Sequence, residues 1–255
     1  MMSTAYISHP VFLQHEMGEH HPECPARLHA IEEQLAAAGH LKQLHPYSAP
    51  RASREAILRC HHHDYLSQLE RVAPKQGYLQ LDPDTAMNPH TLEAAFRAAG
   101  AGIKATDLVI SGERENAFCA VRPPGHHAEP ERAMGFCFFN NVAIAAAHAL
   151  ADHGLKRVAI IDFDVHHGNG TEAMFRNDNR VLYCSSFQHP FYPGTRLDEA
   201  APNIVLAPLH NGDGSEAFRS IYRDKLLPAV EAFAPQMIFI SAGFDAHIED
   251  EMSGL

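Results

Sequence analysis

The sequence predicts an α/β fold with a largely parallel sheet, on three observations. Short apolar runs read as strands, among them residues 158–161, which have the signature of a buried parallel strand, and 237–241. Segments with helical spacing alternate with these runs along the chain, which is the order of a layered α/β domain. Three of the runs end abruptly in polar clusters: His126-His127, Asp162-x-Asp164-x-His166 and Asp245. Ligands in open parallel sheets bind beyond the carboxyl ends of the strands.

Taken in order, residues 5–8 read as a first strand, followed by a polar loop ending in H-P-E-C-P-A-R (21–27). Leu28, Ile31 and Leu35 carry helical spacing toward Gly39. Residues 53–69 predict another helix, interrupted by His61-His62-His63-Asp64, which reads as a partly exposed helix face in preference to a metal tract. The stretch 79–91 holds the proline-bearing loop L-D-P-D-T-A-M-N-P, after which Thr91 is expected to cap an alanine-rich helix running to Leu108. Gly100 and Gly102 in that helix predict close packing against a neighbour. The apolar run 116–121 stops at R-P-P-G-H-H-A (122–128), where each proline keeps the residue before it out of the helical region. G-F-C-F-F-N-N (135–141) leads into a helix over 142–153; strands follow at 181–184 and 203–206, then a helix at 216–233. No repeat or linker interrupts the series, so residues 1–255 are expected to form one domain.

Composition narrows the function. The N-terminus lacks the basic region and long apolar segment of a secretion signal, and no run approaches a membrane span. The five cysteines are scattered, odd in number and without C-x-x-C pairing, which predicts reduced thiols and a cytoplasmic location. A net charge of −11 counts against nucleic-acid binding and suits a cationic substrate. The 20 histidines equal the combined lysine and arginine count, and histidine is both the commonest metal ligand and the usual general base near neutrality.

The densest chemistry lies in residues 157–172, R-V-A-I-I-D-F-D-V-H-H-G-N-G-T-E. On an extended backbone Asp162, Asp164 and His166 would share one face, an arrangement that is unfavourable unless a positive charge sits among them. A strand-end carboxylate pair that merely caps the next helix is the simpler alternative, and the repetition of polar strand ends weighs against it. If the strands are neighbours, Asp164, His166 and Asp245 supply three metal ligands, the number found in catalytic sites. Oxygen and nitrogen donors suit zinc, ferrous iron or cobalt. His167 stands where a second metal would want a carboxylate, so one metal is expected and an arginase-like two-metal hydrolase is disfavoured.

The chain resembles the zinc-dependent histone deacetylase superfamily, especially its bacterial deacetylase and acetylpolyamine amidohydrolase branches. The resemblance rests on H-P-E-C-P-A-R, D-P-D-T (82–85), R-P-P-G-H-H-A, G-F-C-F-F-N-N, D-F-D-V-H-H-G-N-G-T (162–171), Y-P-G-T (192–195) and S-A-G-F-D-A-H (241–247), in family order over nearly the whole chain. It implies a three-layer arginase/deacetylase-like fold and removal of acyl groups from acetylated lysine peptides or acetylpolyamines. Zn2+, or Fe2+ in its place, would be held by Asp164, His166 and Asp245. His126 and His127 match tandem proton-handling histidines, with Asp162 behind the first and Asn169 behind the second. Asp162 and Ser185 match a structural K+ site; Gly135, Phe136, Tyr192 and Met252 match an acyl-amine tunnel; Asp84 matches a rim carboxylate, and Arg27 an arginine of an interior cavity.

Family members also carry a Gly-Gly-Tyr segment whose tyrosine stabilises the oxyanion, and the 255 residues contain none. The expectation is therefore a C-terminally incomplete domain with weak turnover, or alternatively a non-catalytic binder of acylated amines. Arg196, Phe187 and Glu251 depart from the family pattern around the rim.

Overall fold

The computed structural model describes residues 3–255, which fall into two compact units divided between His148 and Ala149. Both are α/β, and each holds its own parallel sheet.

In the first unit the apolar strand β1 (Thr4–Ser8) lies between β2 (Leu44–Ser48) and β5 (Asn116–Cys119), all parallel. The helices of this part of the chain are α1 (Ala26–Ala37), α2 (Arg54–Leu58), α3 (His63–Val72), α4 (Thr91–Ile110), which packs on β1 and β5, and α5 (Asn141–Ala151), inside which the division falls. Two buried clusters form the core. One joins Ile7, Phe12 and Leu28 to the alanines of α4; the other gathers Ile57, Leu66, Phe96, Phe138 and Phe139. The alanine face of α4 lets neighbours approach closely: a Cβ at Gly100 would fall 1.9 Å from the carbonyl oxygen of Pro50.

Three local expectations change here. The helix expected over 53–69 with an interruption at its histidines divides there into α2 and α3, but the run is no uniformly exposed face: His61 turns inward and is 2 % exposed, while His62 and His63 stay outside. The loop over 79–91 contains an antiparallel hairpin, β3 (Leu79–Asp82) and β4 (Thr85–Met87). Thr91 does not cap α4 but is its first residue, and its hydroxyl accepts the Asn88 N–H (2.9 Å).

The second unit carries a four-stranded parallel sheet in the order β8-β7-β6-β9, formed by β6 (Val158–Asp162), β7 (Val181–Gln188), β8 (Ile204–Leu209) and β9 (Met237–Ser241). β7 is buried along its whole length, which is why it reads as an apolar run. The expected helix over 216–233 is α7 (Ser215–Ile221), a wider π-helical turn over Tyr222–Leu226, and α8 (Leu227–Phe233). In the wide turn the Tyr222 hydroxyl lies 3.0 Å from Ser186 Oγ. Register places Asp162 opposite both Ser185 and Ser241, so β6, β7 and β9 are level where the short helix α6 (Asn169–Phe175) and the polar loops begin.

Candidate metal centre

Asp164, His166 and Asp245 come together in the second unit, their ligand atoms all within 4.8 Å of one another. Sequence alternation would have grouped Asp162 with them, but β6 ends at Asp162 and the chain bends over the next residues. Asp162 is fully buried instead. It accepts the Asp164 N–H (3.2 Å) and the Tyr183 hydroxyl (3.1 Å), whose pKa burial pushes far up, so that it remains a donor. The bend is stabilised by the carboxylates of the trio: the His166 N–H donates to Asp164 Oδ1 (2.8 Å) and the Val165 N–H to Asp245 Oδ1 (2.9 Å). Gly243 leaves the room this needs, since a Cβ there would lie 2.1 Å from Asp164 Oδ2.

His166 Nδ1 faces both carboxylates, 3.0 Å from Asp164 Oδ1 and 3.0 Å from Asp245 Oδ2. Burial alone would lower its pKa; the bonds and charges of the two carboxylates outweigh burial and raise it to about 9. Two carboxylates and one imidazole, largely withdrawn from water and free of thiolate, make a donor set that fits a divalent cation. The ring of Phe191 stacks on His166 (5.2 Å, 16°), and Tyr192 meets it edge-on at 5.9 Å. Sequence reading found Tyr192 and missed Phe191, although the paired aromatics beside Pro193 were the available signal.

Behind the trio, His167 bridges Ser185 Oγ (3.0 Å) and Glu172 Oε2 (2.7 Å), and Glu172 also accepts from Arg176 (2.6 Å). Burial would raise the Glu172 pKa, but His167 and Arg176 together hold it below the usual carboxylate range. Asn169 is the first residue of α6, and Met252 lies near the end of the described chain, its N–H bonded to Asp250 Oδ1 (2.8 Å).

The first unit holds the tandem histidines. His126 and His127 are buried, with ring centroids 4.0 Å apart. Gly135 sits at φ +55° against His127, where a Cβ would come within 2.4 Å of the ring carbon Cδ2. Its neighbour Phe136, also left-handed at φ +69°, donates its N–H to Thr85 Oγ1 (3.0 Å), and the Thr85 hydroxyl donates to Asp84 Oδ1 (2.8 Å). Expected rim and tunnel positions are thus joined by one chain of bonds. The Asp84 pKa is raised by burial and by Asp82 beside it. His21 packs edge-on to Phe136 at 4.7 Å and lies 3.1 Å from the Asp84 carbonyl oxygen. Arg27 is exposed near the start of α1. The buried arginine of this region is Arg122, whose place at the end of an apolar run was the overlooked sign.

The sequence model described as the histone deacetylase domain matches residues 21–255. A protein of Archaeoglobus fulgidus named as a probable deacetylase is 38 % identical over 265 residues, covering 100 % of this chain and 72 % of its own. A Pseudomonas aeruginosa protein named as a histone deacetylase-like amidohydrolase is 39 % identical over 91 % of this chain and 63 % of its own. An uncharacterised Synechocystis protein is 41 % identical over 98 % of this chain and 83 % of its own. Among solved structures, the crystal structure of the HDA15 HD domain matches with a TM-score of 0.93 at 35 % identity, over 100 % of this chain and 76 % of that one.

Proposed function

The chain belongs to the histone deacetylase family, and on that premise we propose that it is a metal-dependent amidohydrolase removing acetyl or related acyl groups from lysine side chains or polyamines. The observation that carries this reading is the convergence of Asp164, His166 and Asp245. Zinc is the cation we assign to them, with ferrous iron as the alternative; Asp162 and Ser185 are assigned to potassium. When bound, the divalent cation would polarise the amide carbonyl and acidify the attacking water. His126 and His127 are assigned the protons, taking one from water and returning one to the leaving amine nitrogen. Asp162 and Asn169 complete the set of catalytic roles. Gly135, Phe136, Tyr192, Met252 and Asp84 keep the substrate-contacting roles that the resemblance implies.

The net charge of −11 supports a cationic substrate over a nucleic acid. The five free thiols support a reducing, cytoplasmic setting, and no described helix is long and apolar enough to cross a membrane. The 255 residues contain no Gly-Gly-Tyr segment. Acting alone they are expected to turn over about a hundred- to a thousand-fold more slowly than a chain with that oxyanion donor.

The test is to strip metal with a chelator, reload with Zn2+ or Fe2+, and offer acetyl-lysine peptides and acetylated polyamines. Metal-dependent release of acetate is the expected result. Hydroxamate binding without turnover would favour the non-catalytic binder, and failure to take up either metal would overturn both readings.

A further inference from the structure

We propose that the buried Glu23–Arg122 pair is a positioning unit for the tandem histidines, an inference that rests on the catalytic reading above. Arg122 and Glu23 are 2 % and 5 % exposed. The guanidinium has five N–H donors, and each has an acceptor. Nε donates to Glu23 Oε1 (2.5 Å) and Nη2 to Glu23 Oε2 (2.7 Å) and the Glu23 carbonyl (3.3 Å). Nη1 donates to the carbonyls of Phe12 (2.6 Å) and His15 (3.0 Å). The His15 imidazole, itself buried, lies 3.4 Å from Glu23 Oε2 and 2.8 Å from Thr91 Oγ1. Burial would raise the Glu23 pKa, but the bonds from His15 and Arg122 hold it below the carboxylate range.

A buried ion pair is an inefficient way to stabilise a core, because apolar residues of similar volume often do as well or better. What the planar fork adds is direction, as it fixes one end of a segment by several angle-dependent bonds. The segment it holds is the histidine loop. Pro123 and Pro124 follow Arg122 with φ restricted by their rings, then Gly125, and His126 is four residues on. Few soft dihedrals lie between the clamp and the first imidazole. The far side is gripped as well: Asn141 Nδ2 donates to the Pro123 carbonyl (3.1 Å), and a Cβ at Gly125 would fall 2.6 Å from the Asn141 nitrogen. Glu23 and Arg122 therefore act through His126 and His127 and set where those rings stand.

The deciding variant is Glu23→Leu with Arg122→Met, which replaces the pair with apolar side chains and leaves no buried charge unpaired. Two readouts are taken on the zinc-loaded protein: kcat and KM, and the imidazole 1H–15N signals of His126 and His127, assigned by His126→Gln and His127→Gln. The expected result is a folded protein whose kcat falls about a hundred-fold, the scale of a 1 Å misplacement, with KM within about two-fold. The signals of both histidines move and those of His167 do not. A folded double variant with unmoved His126 and His127 signals, or with moved signals and wild-type kcat, overturns the proposal. If the wild-type protein hydrolyses no acylated amine, the functional reading falls, while the signals still decide whether the pair positions the rings. Should the double variant fail to fold, Arg122→Lys, which keeps the charge and loses the fork, carries the same readouts.

Discussion

The two units each bury a charged cluster and balance it in opposite ways. Around Arg122 the protein supplies both signs: a guanidinium whose five donors are all taken up by one carboxylate and three backbone carbonyls. Around His166 it supplies two carboxylates and one imidazole, and the imbalance shows as a pKa raised to about 9. A cluster complete in itself holds a shape, whereas one left acidic offers donors whose charge a cation would balance. The histidines repeat the contrast. His61, buried beside Tyr65 and Phe139 with its Nε2 accepting the Asn140 N–H (2.9 Å), is pushed down to about 4 by burial. His166 is nearly as enclosed and is pushed the other way.

The comparison breaks most visibly at the acidic cluster. Asp245→Ala is expected to lower zinc affinity by more than the roughly 10–100-fold typical of an outer-shell partner, and to abolish hydrolysis. Equilibrium metal competition checks it, and stoichiometric zinc in the variant would show that the trio is not the site. At the self-balanced cluster, Arg122→Met alone leaves Glu23 buried without its cation. The expected loss is about 3–5 kcal/mol of stability, read by chemical denaturation; a change below about 1 kcal/mol would show that water reaches Glu23.

Acid sharpens the histidine contrast. Because the folded pKa of His61 lies below its unfolded value, the unfolded chain binds the extra proton, and stability falls as pH drops from about 6.5 toward 4. Relative to His61→Gln, the wild type should lose up to about 3 kcal/mol over that window. Parallel acid limbs for the two proteins would mean that His61 takes up its proton without opening the fold. The mildest change is Gly243→Ala, whose methyl would press on Asp164 Oδ2. Zinc affinity is expected to fall about 10–100-fold with little change in melting temperature, and an unaltered affinity would mean that the bend relaxes freely.

Much of this was legible in the sequence where one physical cause dominated. β6 announced itself because a strand buried within a parallel sheet is apolar; β9 reads as apolar too, although it lies at the sheet edge with Ile238 and Ile240 exposed. β2 was missed: it reads L-H-P-Y-S, lies at a sheet edge with its second and third residues exposed, and so carries no such run. The hairpin β3–β4 hid behind Pro83, and the inward turn of His61 behind a run of three histidines that reads as one exposed face. In the site, residue types were readable and geometry was not. Alternation along a strand would have put Asp162 beside Asp164, whereas the backbone bends after Asp162. The Glu23–Arg122 pair spans 99 residues of sequence, a separation that no local pattern encodes.

Ser185, Asp162 and Ser241 stand in one row across three strands, and from that row the trio is reached by counting: two residues to Asp164, four to His166 and four to Asp245. Substitution along β6 or β9 leaves the count alone, but adding or deleting one residue past the row would swing a donor atom out of reach. An insertion inside β6 or β9 would likewise flip the faces of the strand, so the spacing from strand to donor is fixed over those few positions.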